Sequence, residues 1–257
     1  MSSVPERRST VARWAPWVVA IGALEVACRL RWINPQSVIA PSEMVLALVS
    51  SLHNEQVLKN TGISLLRVGA AALFASIGGF LLGCLLRPYM RARRALEPFF
   101  ATYYAVPVVI FYPLLTLMVG YGSMPIIVIG MAMGLIAMIT ATLEAFDRVP
   151  RVLPKVAAAH GLGWWATALR IRLPSAAPDL FSGLKVTVGY AIVGVVASEF
   201  LLASEGIGHL IQDYYNGFRT RAMYGAILLL VLCVLSLNAV LHRCEKHIRR
   251  HRKVAFT

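Results

Sequence analysis

Two carboxylates, Glu25 and Glu199, interrupt long apolar stretches of the chain and are well placed to do chemistry there. An ionisable group at membrane depth is costly to bury and often serves a function. Glu199 could therefore line a path for a solute, or it could form a structural ion pair with Arg67. It also lies near the end of its apolar run, where a charged group reaches water easily. Glu25 is a second candidate of the same kind.

The sequence lacks the motifs of catalysis, metal binding and nucleotide binding. Its four cysteines form no CxxC pair and its six histidines form no HExxH pair, so no disulfide or metal role is predicted. No GxxxxGK[ST] loop occurs that could hold phosphates. No histidine or aspartate lies inside the predicted spans, which argues against an enzyme that works within the membrane. We predict no catalytic residue and no cofactor bound by this chain.

Four further candidates, Tyr103, Tyr104, Pro107 and Tyr112, lie in a stretch at 98–143 that contains no Asp, Glu, Lys, Arg or His. The hydroxyls are polar, and proline disturbs a helix. Irregular helices at membrane depth usually face protein or a cavity, which makes these residues candidates for lining a solute path. The alternative is an aromatic belt at the membrane surface.

The composition indicates the elements that must position these residues. Apolar residues make up 58% of the 257 residues and charged residues only 14%, against roughly 25% in a soluble domain. We predict an all-α polytopic membrane protein with about six transmembrane helices, in a single transmembrane domain over 1–257. The predicted spans lie at 14–28, at 62–86, at two places within 98–143 separated by a turn at 120–125, at 186–203 and at 222–241.

Two smaller features follow from the same pattern. A short amphipathic helix is predicted over 42–52. Gly79 and Gly83, and likewise Gly130 and Gly134, are four residues apart, so each pair shares a helix face and would allow close packing. Simple tolerance of the backbone for glycine is the alternative.

The distribution of Lys and Arg predicts the orientation. Nineteen of these residues fall on the side of the termini and five on the other, which predicts that both termini lie on the cytoplasmic side of the membrane. The cytoplasmic parts are an N-terminal tail at 1–13, a loop at 147–182 and a basic C-terminal tail at 242–257. This bias explains the net charge of +13, and no nucleic-acid partner is predicted.

The loop at 147–182 is unusually long for a connection between packed spans. One short helix is predicted from Val152 to His160, ended by Gly161 and Gly163. A second is predicted from 164 to 172, ended before Pro174. Gly161 should reverse the chain with a positive φ. Two short helices around a glycine turn form a knob that could dock into a groove of a partner.

The residues of this loop resemble the cytoplasmic signature of permease subunits in binding-protein-dependent ABC importers. That signature reads Glu-Ala-Ala, three residues, Gly, nine residues, then Ile-x-Leu-Pro. Gly161 is followed at this spacing by Ile171, Leu173 and Pro174. Only the last alanine of the first half is kept, as Ala157, because Lys155 and Val156 replace Glu and Ala. Segments 64–83, 107–122 and 198–211 also resemble the family, most closely its sulfonate, taurine and nitrate branch.

The resemblance implies a type I ABC importer permease fold and a non-catalytic subunit of a bacterial cytoplasmic (inner) membrane. The expected partners are an ABC ATPase, which binds the ATP, a periplasmic or extracellular solute-binding protein, a second permease copy in a homodimer, and the lipid bilayer. Eight residues would couple this chain to the ATPase: Lys155, Val156, Ala157, His160, Gly161, Ile171, Leu173 and Pro174. For Lys155 and His160, an ordinary solvated position is the alternative. The rival function is a gradient-driven secondary transporter or channel.

Overall fold

The computed structural model of the chain describes residues 7–34, 36–150 and 152–254. The predicted tails at 1–13 and 242–257 therefore lie partly outside the described residues, as does Arg151. The described residues form eleven α-helices: α1 Arg7–Arg29, α2 Pro41–Leu52, α3 Glu55–Leu86, α4 Met90–Tyr103, α5 Tyr112–Val119, α6 Ser123–Asp147, α7 Val152–Ala159, α8 Trp164–Thr167, α9 Leu173–Leu202, α10 Ile207–Asn216 and α11 Thr220–Val254.

Four of the described helices, α3, α6, α9 and α11, are long and apolar enough to cross a membrane. A fifth span results if α4 and the segment Val108–Val119 form one broken crossing. Helix α1 is not among these spans, so the described helices account for four or five of the six that the sequence predicts. Its exposed Val18, Val19 and Ile21 suit a surface covered by lipid. The all-α, multi-pass architecture is confirmed.

Helix α6 packs between α3 and α9, and small residues allow the close approach. A Cβ atom on Gly79 would lie 2.5 Å from the Cβ of Met138, and one on Gly130 would lie 2.7 Å from Cγ2 of Val195. Gly83 and Gly134 make similar contacts. Of the two alternatives for these glycines, close packing between helices is therefore the one that the structure shows.

The third predicted span is sharply broken. Helix α4 and the segment Val108–Val119 meet at 91° across residues 104–107. Pro107 contributes to the break, because the residue before a proline is pushed out of the helical region. A short 3-10 turn at Val108–Phe111 then leads into α5. The prediction of an irregular helix here is confirmed, although the sequence gives no sign of its angle.

The short helix predicted at 42–52 is confirmed as α2. The prediction that the second helix of the loop ends before Pro174 is wrong. Helix α8 runs through a π turn at Ala168–Arg172 directly into α9, and the N–H of Leu173 donates to the carbonyl of Ala168, five residues earlier. This wider turn gives the ring of Pro174 room that an α-helical turn would not.

The bundle has two ends that differ in their polar contacts. We call one the knob end, where α7 and α8 form the knob at 152–167. We call the other the far end, where the turn at 203–206 joins α9 to α10. Helices α3 and α11 run from the far end to the knob end, as α6 does, whereas α9 runs in the opposite direction. Toward the knob end, Nζ of Lys185 in α9 lies 2.5 Å from Oε2 of Glu245 in α11, and this ion pair holds the two helices together.

Candidate functional site

A buried ion pair between Arg67 and Glu199 lies at the far end. Nη1 of Arg67 is 3.0 Å from Oε1 of Glu199, and the two side chains are 3% and 0% exposed. Oε2 of Glu199 accepts hydrogen bonds from the hydroxyl of Ser64, at 2.5 Å, and from the backbone N–H of Gly208, at 3.2 Å. The structural ion pair, one of the two alternatives for Glu199, is therefore present.

All three guanidinium nitrogens of Arg67 have an acceptor. Nε donates to the hydroxyl of Ser123 at 2.9 Å, and Nη2 donates to the carboxylate of Glu205 at 2.7 Å. Nη1 also donates to the carbonyl of Glu205 at 2.8 Å. We call this set the Arg67–Glu199 network. It fixes the start of α6, the end of α9 and the entry to α10 against α3, because buried charges are tolerated only when they are fully paired.

The second predicted carboxylate, Glu25, also has a local structural role. Its Oε1 lies 2.7 Å from Nε of Arg29, one turn later in α1. Ser42 donates its backbone N–H to Oε2 at 3.0 Å and its hydroxyl to Oε1 at 2.7 Å. Glu25 therefore accepts hydrogen bonds at the N-terminus of α2, where a helix favours negative charge, and ties α1 to α2.

The four candidates around the break separate into buried and exposed positions. Tyr112 is buried in the core against Val68 and Ile129. Tyr103 is half-buried, and its hydroxyl donates to the carbonyl of Ala132 at 3.0 Å. Tyr104 is 40% exposed, and Pro107 is exposed with it. Of this group, the structure thus brings Tyr104 and Pro107 to a surface where a solute could pass.

Tyr104 stacks on Tyr190, a residue of α9 that the sequence analysis missed. The ring centroids are 4.5 Å apart and the planes are 21° from parallel. The signal that could have revealed Tyr190 is a polar stripe along α9. Asp179, Ser182 and Tyr190 recur at helical spacing, and Thr140, Glu144 and Arg148 do so on α6.

These stripes line a cleft of about 410 Å³ between α6 and α9. The Tyr104–Tyr190 stack lines one part of it, and the other part, at the knob end, holds three charged residues. Arg148 lies 3.2 Å from the carboxylate of Glu144 and 4.0 Å from that of Asp179. A cleft with hydroxyls, aromatic rings and charged groups can hold a hydrated polar solute, which a lipid-facing groove cannot.

The knob at 152–167 turns at Gly161, as predicted. Gly161 has a φ of +70°, its N–H donates to the carbonyl of Ala158, and the N–H of Leu162 donates to the carbonyl of Ala157. These two bonds form a Schellman cap, which ends α7 and reverses the chain. Thr167 closes the knob on the other side, since its hydroxyl donates to the carbonyl of Gly163 at 3.0 Å.

The surface of the knob is apolar and aromatic. Trp164 and Trp165 are 65% and 71% exposed and pack edge to face with centroids 4.6 Å apart. Among the predicted coupling residues, the exposed ones are Lys155, Val156, His160, Gly161 and Pro174, the half-buried ones are Ile171 and Leu173, and the buried one is Ala157. Buried Ala157 anchors the helix, while the exposed positions and the two tryptophans are available for contact.

The fold and this arrangement define a polytopic membrane protein with an exposed loop at one end of its bundle. A family model described as "Binding-protein-dependent transport system inner membrane component" matches residues 75–254. The match covers more than half of the chain, and the chain belongs to this family. The resemblance found in the loop is confirmed, and the chain is a multi-pass membrane protein of the ABC importer permease class.

Relatives and a solved structure agree with this membership. A probable ABC transporter permease protein of Haemophilus influenzae is 28% identical over 209 residues, which is 80% of this chain and 85% of that protein. The nitrate import permease protein NrtB of Leptolyngbya laminosa is 31% identical over 178 residues, 69% of this chain and 63% of that protein. A structure of the MetNI methionine ABC transporter superposes with a TM-score of 0.66 at 18% identity, covering 75% of this chain and 96% of that one.

Proposed function

We propose that this chain is the permease subunit of an ATP-driven ABC importer and forms the path for a small solute. The observation that carries the proposal is the exposed knob at 152–167, which contains Gly161 of the family's signature and leads directly into its Ile171, Leu173 and Pro174. In this proposal the chain performs no chemistry itself. A separate ABC ATPase subunit binds and hydrolyses ATP, and a solute-binding protein delivers the solute at the far end.

The knob end faces the cytoplasm in this proposal, together with both termini. The basic residues support this orientation, because Arg87, Arg91, Arg93 and Arg94 follow the end of α3 at the knob end. The same orientation places the Arg67–Glu199 network near the external surface.

Coupling to the ATPase would run through the knob and then directly into the bundle. Exposed tryptophans are typical anchors of protein interfaces, which supports Trp164 and Trp165 as contacts beside the eight coupling residues. Because α8 continues through the π turn into α9, a push on the knob reaches the helix that lines the cleft. Closure of the ATPase dimer would therefore move α9 relative to α6.

The solute path would use the cleft and the break, completed by a second copy of the chain. Tyr104 and Pro107 are proposed to line it. Glu199 and Tyr112 are buried within one subunit, and half-buried Tyr103 bonds to the carbonyl of Ala132, so these three would act through packing. A second copy is supported by the exposed irregular backbone at 104–107, which needs protein or water beside it, and by the prevalence of closed symmetric dimers.

The proposed solute is small and anionic, such as a sulfonate, taurine or nitrate. The nitrate permease relative supports this class. The cleft contains two carboxylates and one arginine among its described charged residues, so we assign most of the selection to the solute-binding protein rather than to the path.

The test is reconstitution of the chain with the ATPase and binding protein encoded beside it. Purified complex in liposomes should take up labelled taurine or nitrate only with ATP, and the complex should contain two permease copies by mass. A matched ATPase variant with its phosphate-loop lysine replaced should abolish uptake. Uptake driven by an ion gradient with no ATPase present would instead establish the secondary-transporter alternative.

A further inference from the structure

The break between α4 and α5 exposes backbone that cannot face lipid. Residues 104–107 form turns in place of regular α-helix, since the N–H groups of Ala105 and Val106 donate to carbonyls only three residues earlier, and all four residues are exposed. Lipid chains offer no hydrogen-bond partners, so irregular backbone at this depth must lie against protein or water. The break therefore marks the side of the bundle that faces the interior of the assembled transporter.

The Tyr104–Tyr190 stack lies where the cleft ends. Asp179 and Ser182 line the cleft at the knob end, and Tyr190 is eleven residues beyond Asp179 on the same helix. At 1.5 Å per residue this is about 16 Å deeper into the bundle. Tyr190 belongs to α9, and Tyr104 directly follows the last residue of α4. Their rings meet across the inner end of the cleft.

Helices α6 and α9 touch beneath the cleft as well as past the stack, since a Cβ on Gly183, which lines the cleft, would collide with the Cβ of Ala141. A Cβ on Gly194, one turn beyond Tyr190, would lie 2.9 Å from the Cα of Gly130 and 3.1 Å from the sulfur of Met133. This contact leaves no room for a solute between the two helices. The cleft is therefore a groove along the surface of the two helices, and the two rings lie over its inner end.

We propose that Tyr104 and Tyr190 form the inner gate of the solute path, in which ring stacking seals the cleft from the far half of the bundle. The inference rests on the proposed function and adds a gate to it. Movement of α9, which is continuous with the knob, separates the rings. The seal depends on the faces of the rings, because these faces contact each other, and the hydroxyls are not required for it.

The test measures access to a cysteine placed just beyond the stack. The complex is made with Cys28, Cys84, Cys233 and Cys244 replaced by serine, and Met133→Cys is added. Inside-out membrane vesicles then expose the knob end to a membrane-impermeant methanethiosulfonate reagent. Thr140→Cys, in the open cleft, is the matched control for access and for an intact fold.

We expect rapid labelling of the cysteine at 140 and slow labelling of the cysteine at 133. Tyr104→Ala or Tyr190→Ala should speed labelling at 133 by about tenfold, the upper range for loss of an aromatic pair. Tyr104→Phe and Tyr190→Phe should leave it slow. Equal rates at 133 with tyrosine and alanine would overturn the gate, as would phenylalanine variants that label as fast as alanine.

The assay separates this inference from the proposed function. Labelling needs no ATP, so a complex that shows no ATP-driven uptake would refute the importer while the gate could still be measured. Conversely, normal uptake together with unchanged labelling at 133 would refute the gate alone. Slow labelling at 140 in the parent would show that the cleft is closed to water and would also overturn the inference.

Discussion

The far end of the bundle and the knob at its other end are held in shape by different means. At the far end, buried charges are fully paired, and Glu199 has no exposed surface. At the knob end, backbone hydrogen bonds and one threonine hydroxyl shape the knob, while its two tryptophans remain exposed. The far end is thus built to keep one shape within the chain. The knob end has exposed apolar groups, which are typical of a surface that binds another protein.

This contrast predicts that mutations at the far end lower stability, whereas mutations in the knob lower coupling. The largest expected effect is at Arg67. Arg67→Met leaves the carboxylate of Glu199 buried without its cation, and breaking a buried pair in this way costs about 3–5 kcal/mol. We expect little folded protein in the membrane and a strongly reduced Tm in detergent.

Two further variants test whether the buried ion pair is the cause of the lost stability. Glu205→Ala removes the half-exposed partner, and an ion pair that reaches solvent contributes at most about 1 kcal/mol. The double change Arg67→Met with Glu199→Met removes both charges and should recover part of the lost stability. Equal Tm values for Arg67→Met and Glu205→Ala would show that the buried pair does not stabilise the far end.

A matched pair of glycines offers the next largest contrast. A Cβ on Gly208 would lie 2.6 Å from the carbonyl oxygen of Val196 and 2.7 Å from the Cβ of Glu199, so Gly208→Ala should cost about 1–3 kcal/mol by overpacking. Gly163 has open space around it and a φ of −63°, so Gly163→Ala should change stability by no more than about 0.5 kcal/mol. Thermal unfolding of both purified variants measures the difference, and similar losses would contradict it.

Local patterns in the sequence predicted much of the fold. Apolar runs predicted the spanning helices, the position of Gly161 predicted its positive φ, and the spacing of Gly79 and Gly83 offered a packing face as one of two alternatives. Each of these depends on residues within a few turns of one another, so a single sequence contains the necessary information.

Features that depend on distant residues were left open or missed. Arg67 and Glu199 are 132 positions apart, and the sequence could offer their pairing only as one alternative. Tyr190 becomes notable only when α4 brings Tyr104 against it. The π turn was also missed, because Pro174 is a reliable sign of disturbed α-helix but does not reveal whether the chain stops or widens its turn.

In the knob, Gly161→Val should reduce coupling without loss of the bundle. A valine at a φ of +70° is strained by about 1–2 kcal/mol, although no neighbouring atom obstructs its Cβ. Gly161→Asn is the matched control, since asparagine tolerates this conformation. We expect weaker ATPase binding and slower uptake for valine, near-normal values for asparagine, and normal membrane abundance for both. Normal uptake by Gly161→Val with the ATPase firmly bound would mean that the knob is not the coupling element.

The smallest expected effect is at Lys155, where the family has an acidic residue. The side chain is exposed, so its pairing with a partner surface should contribute at most about 1 kcal/mol. If Lys155 meets an acidic patch on its own ATPase, Lys155→Glu weakens that complex at low salt. The difference should disappear near 1 M salt, where the screening length falls to about 3 Å.

Arg170→Glu, an equal charge reversal at another exposed position beyond the knob, separates a specific contact from the general positive charge of this end. The affinity for the ATPase is measured over a salt series. If Lys155→Glu leaves this affinity unchanged, or if both variants change it equally, Lys155 is an ordinary solvated residue. Contact with the ATPase would then depend on the apolar surface of the knob alone.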